Sequence, residues 1–163
     1  MNAIELLEKQ HHDVEELFEE FEDASQGAKK TRERICREIS DQLAVHAEIE
    51  EKIFYPESKQ DETEELLRES VEEHLAMKRI LVEIIEEGTD HPQFDARMKV
   101  LKEQVEHHVD EEEKELFPKV RKACSKEDLE DLGTRMEAVA EELLSEGEPS
   151  RRIPDETDKP AHI

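Results

Sequence analysis

Four stripes of apolar residues run through this sequence at helical spacing, and a histidine interrupts each of them at a position facing inward. The first advances through Ile4, Leu7, Val14, Phe18 and Phe21, with His11 on the same line. The second passes Ile35, Ile39, Leu43 and Ile53 and takes in His46 and Glu50. The third, through Leu67, Val71, Leu81 and Ile84, holds His74, and the fourth, through Phe94, Met98, Leu101, Val105 and Leu116, holds His108 and Glu112. His12 and His107 are turned by about 100° from their neighbours and read as flanking residues.

Burying an ionised carboxylate without a partner costs several kcal/mol, and two close together repel further. One interior histidine is ordinarily satisfied by a hydrogen bond. Four of them with two glutamates need a shared partner, and a cation supplies one. The spacing His-x-x-x-Glu puts both groups on one helix face about 6 Å apart, within reach of one metal ion or a bridged pair.

The pattern also repeats. His46-Ala-Glu-Ile-Glu50-Glu-Lys-Ile-Phe-Tyr-Pro56 aligns with His108-Val-Asp-Glu-Glu112-Glu-Lys-Glu-Leu-Phe-Pro118 at an offset of 62, with five of eleven positions identical. His11 and His74 are offset by 63. Each helical hairpin thus gives one histidine from its first helix and a His/Glu pair from its second, and two such hairpins form a symmetric two-metal site. Tyr55, near the end of the second helix, falls off the seam and reads as structural. No separate proton donor stands out.

The periodicity predicts five helices, over about 3–24, 29–55, 62–87, 92–117 and 125–145. Pro56 closes the second, Gly88 the third and Pro118 the fourth, and Ser125 with Asp128 caps the fifth. Short connections place consecutive helices antiparallel. The expected fold class is therefore all-α: an up-down-up-down four-helix bundle over residues 1–145, with the C-terminal helix covering an end or a flank. From Glu146 the composition changes to a proline-rich stretch without apolar period, so 146–163 reads as a disordered tail.

Net charge narrows the function. With 47 acidic against 23 basic residues the formal charge is −24, a field that repels phosphate backbones and anionic lipid and attracts cations. Nucleic-acid and membrane partners are not expected. No apolar run approaches the roughly 18 residues needed to cross a bilayer. MNAIELLEKQ lacks the pattern of a signal peptide, and Cys36 and Cys124 are isolated, so the expected location is cytoplasmic.

The chain resembles the haemerythrin-like HHE cation-binding domains over roughly residues 3 to 145. The likeness rests on His11 followed by Val14, Leu17 and Phe18, on His46-x-x-x-Glu50 with Pro56, on Glu73-His74, and on His108-x-x-x-Glu112 with Pro118. It implies a non-haem di-iron centre, oxo- or hydroxo-bridged, with His11, His46, His74 and His108 as iron ligands and Glu50 and Glu112 as bridges. Two departures matter. The family's oxygen carriers have a histidine where this chain has Lys78, and a carboxylate five residues after the fourth-helix histidine where the match here is Glu112 at four.

Fewer ligands leave more open positions, which argues against simple reversible O₂ carriage. The expected function is binding of, or reaction with, O₂, peroxide or NO. An iron or divalent-metal sensor or store without turnover is the alternative, and an acidic helical interaction protein without metal is a third.

Overall fold

The computed structural model describes all residues, Met1–Ile163, and they form helices without strands. Helix α1 (Ala3–Asp23) starts at Asn2. The Asn2 side chain accepts from the Glu5 N–H, and the Glu5 carboxylate accepts from the Asn2 N–H. Helix α2 (Lys29–Ile49) runs through a π turn, Glu50–Phe54, into the short α3 (Tyr55–Glu57). Helix α4 (Glu64–Glu87) ends at Gly88, whose φ of 79° suits a residue without a Cβ. Helix α5 (Phe94–Glu111) runs through a second π turn, Glu112–Leu116, into α6 (Phe117–Ala123). Helix α7 (Lys126–Glu146) opens on a capping box between Ser125 and Asp128, as the sequence predicts.

The two π turns correct the expected helix ends. Pro56 and Pro118 do not stop their helices, which continue to Glu57 and Ala123. In each π turn the N–H five residues on closes the ring: Tyr55 donates to the Glu50 carbonyl and Phe117 to the Glu112 carbonyl. The wider turn skips one ordinary helical bond, and a proline just beyond it forfeits little and escapes the clash with the preceding turn.

Helix α1 packs on α2, and α4 on α5, as two hairpins, while α7 lies against α1 and α2 and so covers a flank of the first hairpin. The core is divided. One apolar cluster gathers Ile4, Leu7, Ile49, Phe54, Leu67, Phe117 and Met136, and the other Phe18, Ile35, Ile39, Leu81, Phe94 and Leu101. On α1, α4 and α5 the buried histidines and Glu112 occupy sequence positions between the two clusters, and on α2 His46 and Glu50 alternate with Val45 and Ile49 of the first cluster. Burial of these apolar faces is the main driving force for the fold.

The C-terminal segment differs from the expected disordered tail. Residues Pro149–Glu156 form a 3₁₀ helix packed against α2 and α4, with Ile153 1 % exposed. A single large apolar side chain gives no period to read, so its docking leaves no trace in sequence patterning.

Gly133 marks the closest approach of α7 to the start of α1. A Cβ there would lie 2.3 Å from the Met1 carbonyl oxygen and 2.9 Å from the Ala3 nitrogen. Gly133→Ala is expected to lower unfolding free energy by about 2 kcal/mol through this overpacking. Gly27→Ala, which meets open space, should change it by less than about 0.5 kcal/mol. Urea denaturation of both variants checks the contrast.

Candidate metal centre

Each bundle helix carries its histidine inward, and the structure brings His11, His46, Glu50, His74, His108 and Glu112 together, all of them buried. Potential ligand atoms of His11, His46, Glu50 and Glu112 lie within 4.8 Å of one another, as do those of Glu50, His74 and His108. Glu50 belongs to both groups. One of its oxygens is 3.1 Å from His46 Nε2 and the other 3.0 Å from His74 Nε2. Glu112 Oε1 lies 3.0 Å from His108 Nε2 and 3.3 Å from His11 Nε2. The i, i+4 spacing thus places each carboxylate between a histidine of its own helix and one from the other hairpin.

An outer ring of acceptors orients the imidazoles. His11 Nδ1 donates to Glu113 at 2.8 Å and His74 Nδ1 to Glu51 at 2.7 Å. His46 Nδ1 donates to Gln10 Oε1 at 2.7 Å, and His108 Nδ1 to Glu73 at 2.8 Å. Every partner is an oxygen, so Nδ1 carries the proton and the Nε2 lone pair points inward.

These partners follow the repeat. The glutamate after each inward glutamate holds a histidine of the other hairpin, and the residue before each first-helix histidine holds the histidine of its own hairpin. Sequence reasoning missed all four. The doubled glutamates at 50–51 and 112–113 were the available signal.

With the outer nitrogens protonated, nitrogen and carboxylate lone pairs face each other across the centre. His11 Nε2, His46 Nε2, Glu50 Oε1 and Glu112 Oε1 are buried without a hydrogen-bond partner. Such a set repels itself unless a proton or a metal cation lies between. It fits a metal ion on chemistry as well as position, since imidazole with carboxylate suits iron, manganese or zinc.

Tyr55 is the main correction to the expected site. On an unbroken α-helix it would lie about 180° from His46, but the added residue of the π turn takes back about 100° and swings it inward. Its hydroxyl donates to Glu50 Oε2 at 2.9 Å and lies 3.1 Å from Glu112 Oε2 and 3.2 Å from His74 Nε2. Burial, then the charges of Glu112 and Glu50, push the phenol well up, so it keeps its proton in the cation-free chain. The equivalent residue of the other hairpin, Phe117, stacks on His11 with ring centres 5.9 Å apart. The halves of the site are therefore unequal.

The flanking residues lie where the seams place them. His12 pairs with Glu16, and His107 with Glu73 and Glu111, both imidazoles being exposed. The Lys78 ammonium bonds Glu51 at 2.8 Å and pairs with Glu156 at 3.3 Å. Burial raises the Glu51 carboxyl, but His74 and Lys78 outweigh it and hold the group below its ordinary range.

A profile of the Hemerythrin HHE cation binding domain matches residues 2–120. The chain belongs to this family. The HHE assignment makes it a cation-binding protein whose cluster of histidine and glutamate is the candidate site. A solved Hemerythrin HHE cation binding domain-containing protein from Mycobacterium kansasii has the same fold, with a TM-score of 0.78 at 22% identity, covering 96% of this chain and 94% of that one. A DNA nickase from Nostoc sp. is 31% identical over 143 residues, which are 88% of this chain and 40% of the relative. This HHE chain spans two fifths of that relative's length.

Two predictions follow from the charge balance. Burial alone would lower the His11 imidazole, but Glu112 and Glu113 outweigh it and raise it from 6.5 to about 9 in the cation-free chain. A raised folded value stabilises fully below pH 6.5 and is lost as pH climbs through 9. The urea midpoint of the metal-free protein is expected to fall across that window, with a flatter profile in His11→Gln. Tyr55→Phe should leave helix content unchanged and weaken cation binding at the group of Glu50, His74 and His108 by about tenfold, read by competition titration.

Proposed function

We propose that this protein is a non-haem di-iron protein that binds or reacts with O₂, peroxide or NO in the bundle core. The observation that carries the reading is the inward convergence of four imidazoles and two carboxylates, with His11 Nε2, His46 Nε2, Glu50 Oε1 and Glu112 Oε1 buried and unpartnered. His11, His46, His74 and His108 would hold the pair, with Glu50 and Glu112 shared between its halves. Bound there, two irons would supply redox chemistry toward a small oxidant or gas.

The remaining work falls to the chain. Glu50 and Glu112 would neutralise half the charge of two divalent ions in a medium that penalises the rest. Glu51, Glu73, Glu113 and Gln10 fix the ring orientations. Val14, Leu43, Met77, Leu81 and Val105 line a cavity of about 40 Å³ beside the histidines and keep it apolar. That narrow space suits a diatomic or peroxide. The Tyr55 hydroxyl keeps the one phenolic proton of the centre, directed at Glu50 Oε2.

Action on DNA, as in the name of the Nostoc relative, is not adopted for this chain. A formal charge of −24 opposes contact with a phosphate backbone.

Elemental analysis with visible spectra before and after reduction tests the proposal. The expected result is two irons per chain, with near-ultraviolet and visible absorption that bleaches on reduction and changes again on exposure to O₂, peroxide or NO. His74→Ala should lose about half of the iron while keeping its helices. Zinc alone, or no metal after iron is supplied, would overturn the reading.

A further inference from the structure

The C-terminal segment reaches the same cavity as the histidines. His11, His46, His74 and His108 line its inner side, while Ile153 and Glu156 close it from outside the bundle. Ile153 is the one large apolar residue of Pro149–Glu156, and it is 1 % exposed in the gap flanked by α2 and α4. The segment is fastened at three further points. The Ser150 N–H donates to Asp41 at 3.0 Å, Lys78 pairs with Glu156 at 3.3 Å, and Arg79 donates to the Thr157 carbonyl at 3.1 Å. Pro149 and Pro154 restrict its backbone between these points.

On the solvent side lies a wider hollow of about 320 Å³, bordered by Glu51, Lys78, Asp155, Glu156 and Asp158. Lys78 and Glu156 border both spaces. The ion pair therefore stands between an open vestibule and the narrow cavity, with Ile153 beside it.

We propose that residues 149–156 form the outer wall of the metal cavity, and that Ile153 sets the size of the molecule that reaches the histidines, with Lys78–Glu156 as its latch. This assigns Lys78 a use: its ammonium binds the wall instead of a metal. The wall is held by the buried Pro149, Ser150 and Ile153 and a few polar contacts, whereas the bundle helices bury long stripes. It is thus the part of the enclosure that can open while the bundle stays folded. The size selection rests on the di-iron reading; the closure itself does not.

The test compares full-length wild type, Ile153→Val, Ile153→Ala and Glu156→Gln. Metal-free protein is treated with diethyl pyrocarbonate at neutral pH, and imidazole modification is followed residue by residue by mass spectrometry. Exposed His12 and His107 serve as internal standards, and circular dichroism verifies helix content. Ile153→Ala is expected to raise the rates at His74 and His108 at least tenfold, and Glu156→Gln several-fold. His12 should not change, and Ile153→Val should stay near wild type. In iron-loaded protein, Ile153→Ala should release iron to a bulky sulfonated phenanthroline at least tenfold faster, with azide binding within twofold of wild type.

Equal His74 and His108 rates in wild type, Ile153→Ala and Glu156→Gln would place the access route elsewhere and overturn the proposal. If the reactivity pattern holds but wild type takes up no iron, the di-iron reading fails and the closure stands. The two failures are therefore distinguishable.

Discussion

The hydrogen bond from each interior histidine outward through Nδ1 is the interaction on which the centre depends. It fixes the tautomer, and the tautomer decides which way the lone pair faces. Without Glu51, Glu73, Glu113 and Gln10 the rings could turn and satisfy themselves against Glu50 and Glu112 as ordinary donors. With them, six inward groups share one electrostatic need. Cations, which a net charge of −24 attracts, would meet that need.

That need shapes the packing. A layer of imidazole and carboxylate separates two apolar clusters, so the bundle has two dry cores joined by a polar storey. The four bundle helices each cross the layer once. Cation binding and tertiary stability are thermodynamically linked here, because the ligands converge only in the folded chain. Protons are the competing occupants: in the cation-free chain Glu112 and Glu113 outweigh burial and hold the His11 imidazole up at about 9.

Much of this was legible in the sequence. The seams at 11, 46, 50, 74, 108 and 112 follow from the period of an α-helix, and short connections give the antiparallel order. The 62-residue offset revealed two hairpins with equivalent parts. What periodicity could not reveal is a change of period. Tyr55 is off the seam by α-helical counting and reaches Glu50, Glu112 and His74 only because the backbone widens at Glu50–Phe54. Ile153 was illegible for another reason, since its burial depends on a surface assembled by α2 and α4. Gln10 and Glu73 look like solvated positions until the ring they hold is located.

The two π turns have a genetic consequence. A helix that has gained a residue in mid-course cannot lose it by substitution; only a deletion restores the ordinary period. Such a deletion would rotate everything downstream by about 100° and withdraw Tyr55 or Phe117 from the interior. Both turns stand at equivalent places of the repeat, at Glu50 and Glu112. The same widening thus recurs in both hairpins, while Tyr55 and Phe117 give the two halves of the centre different groups.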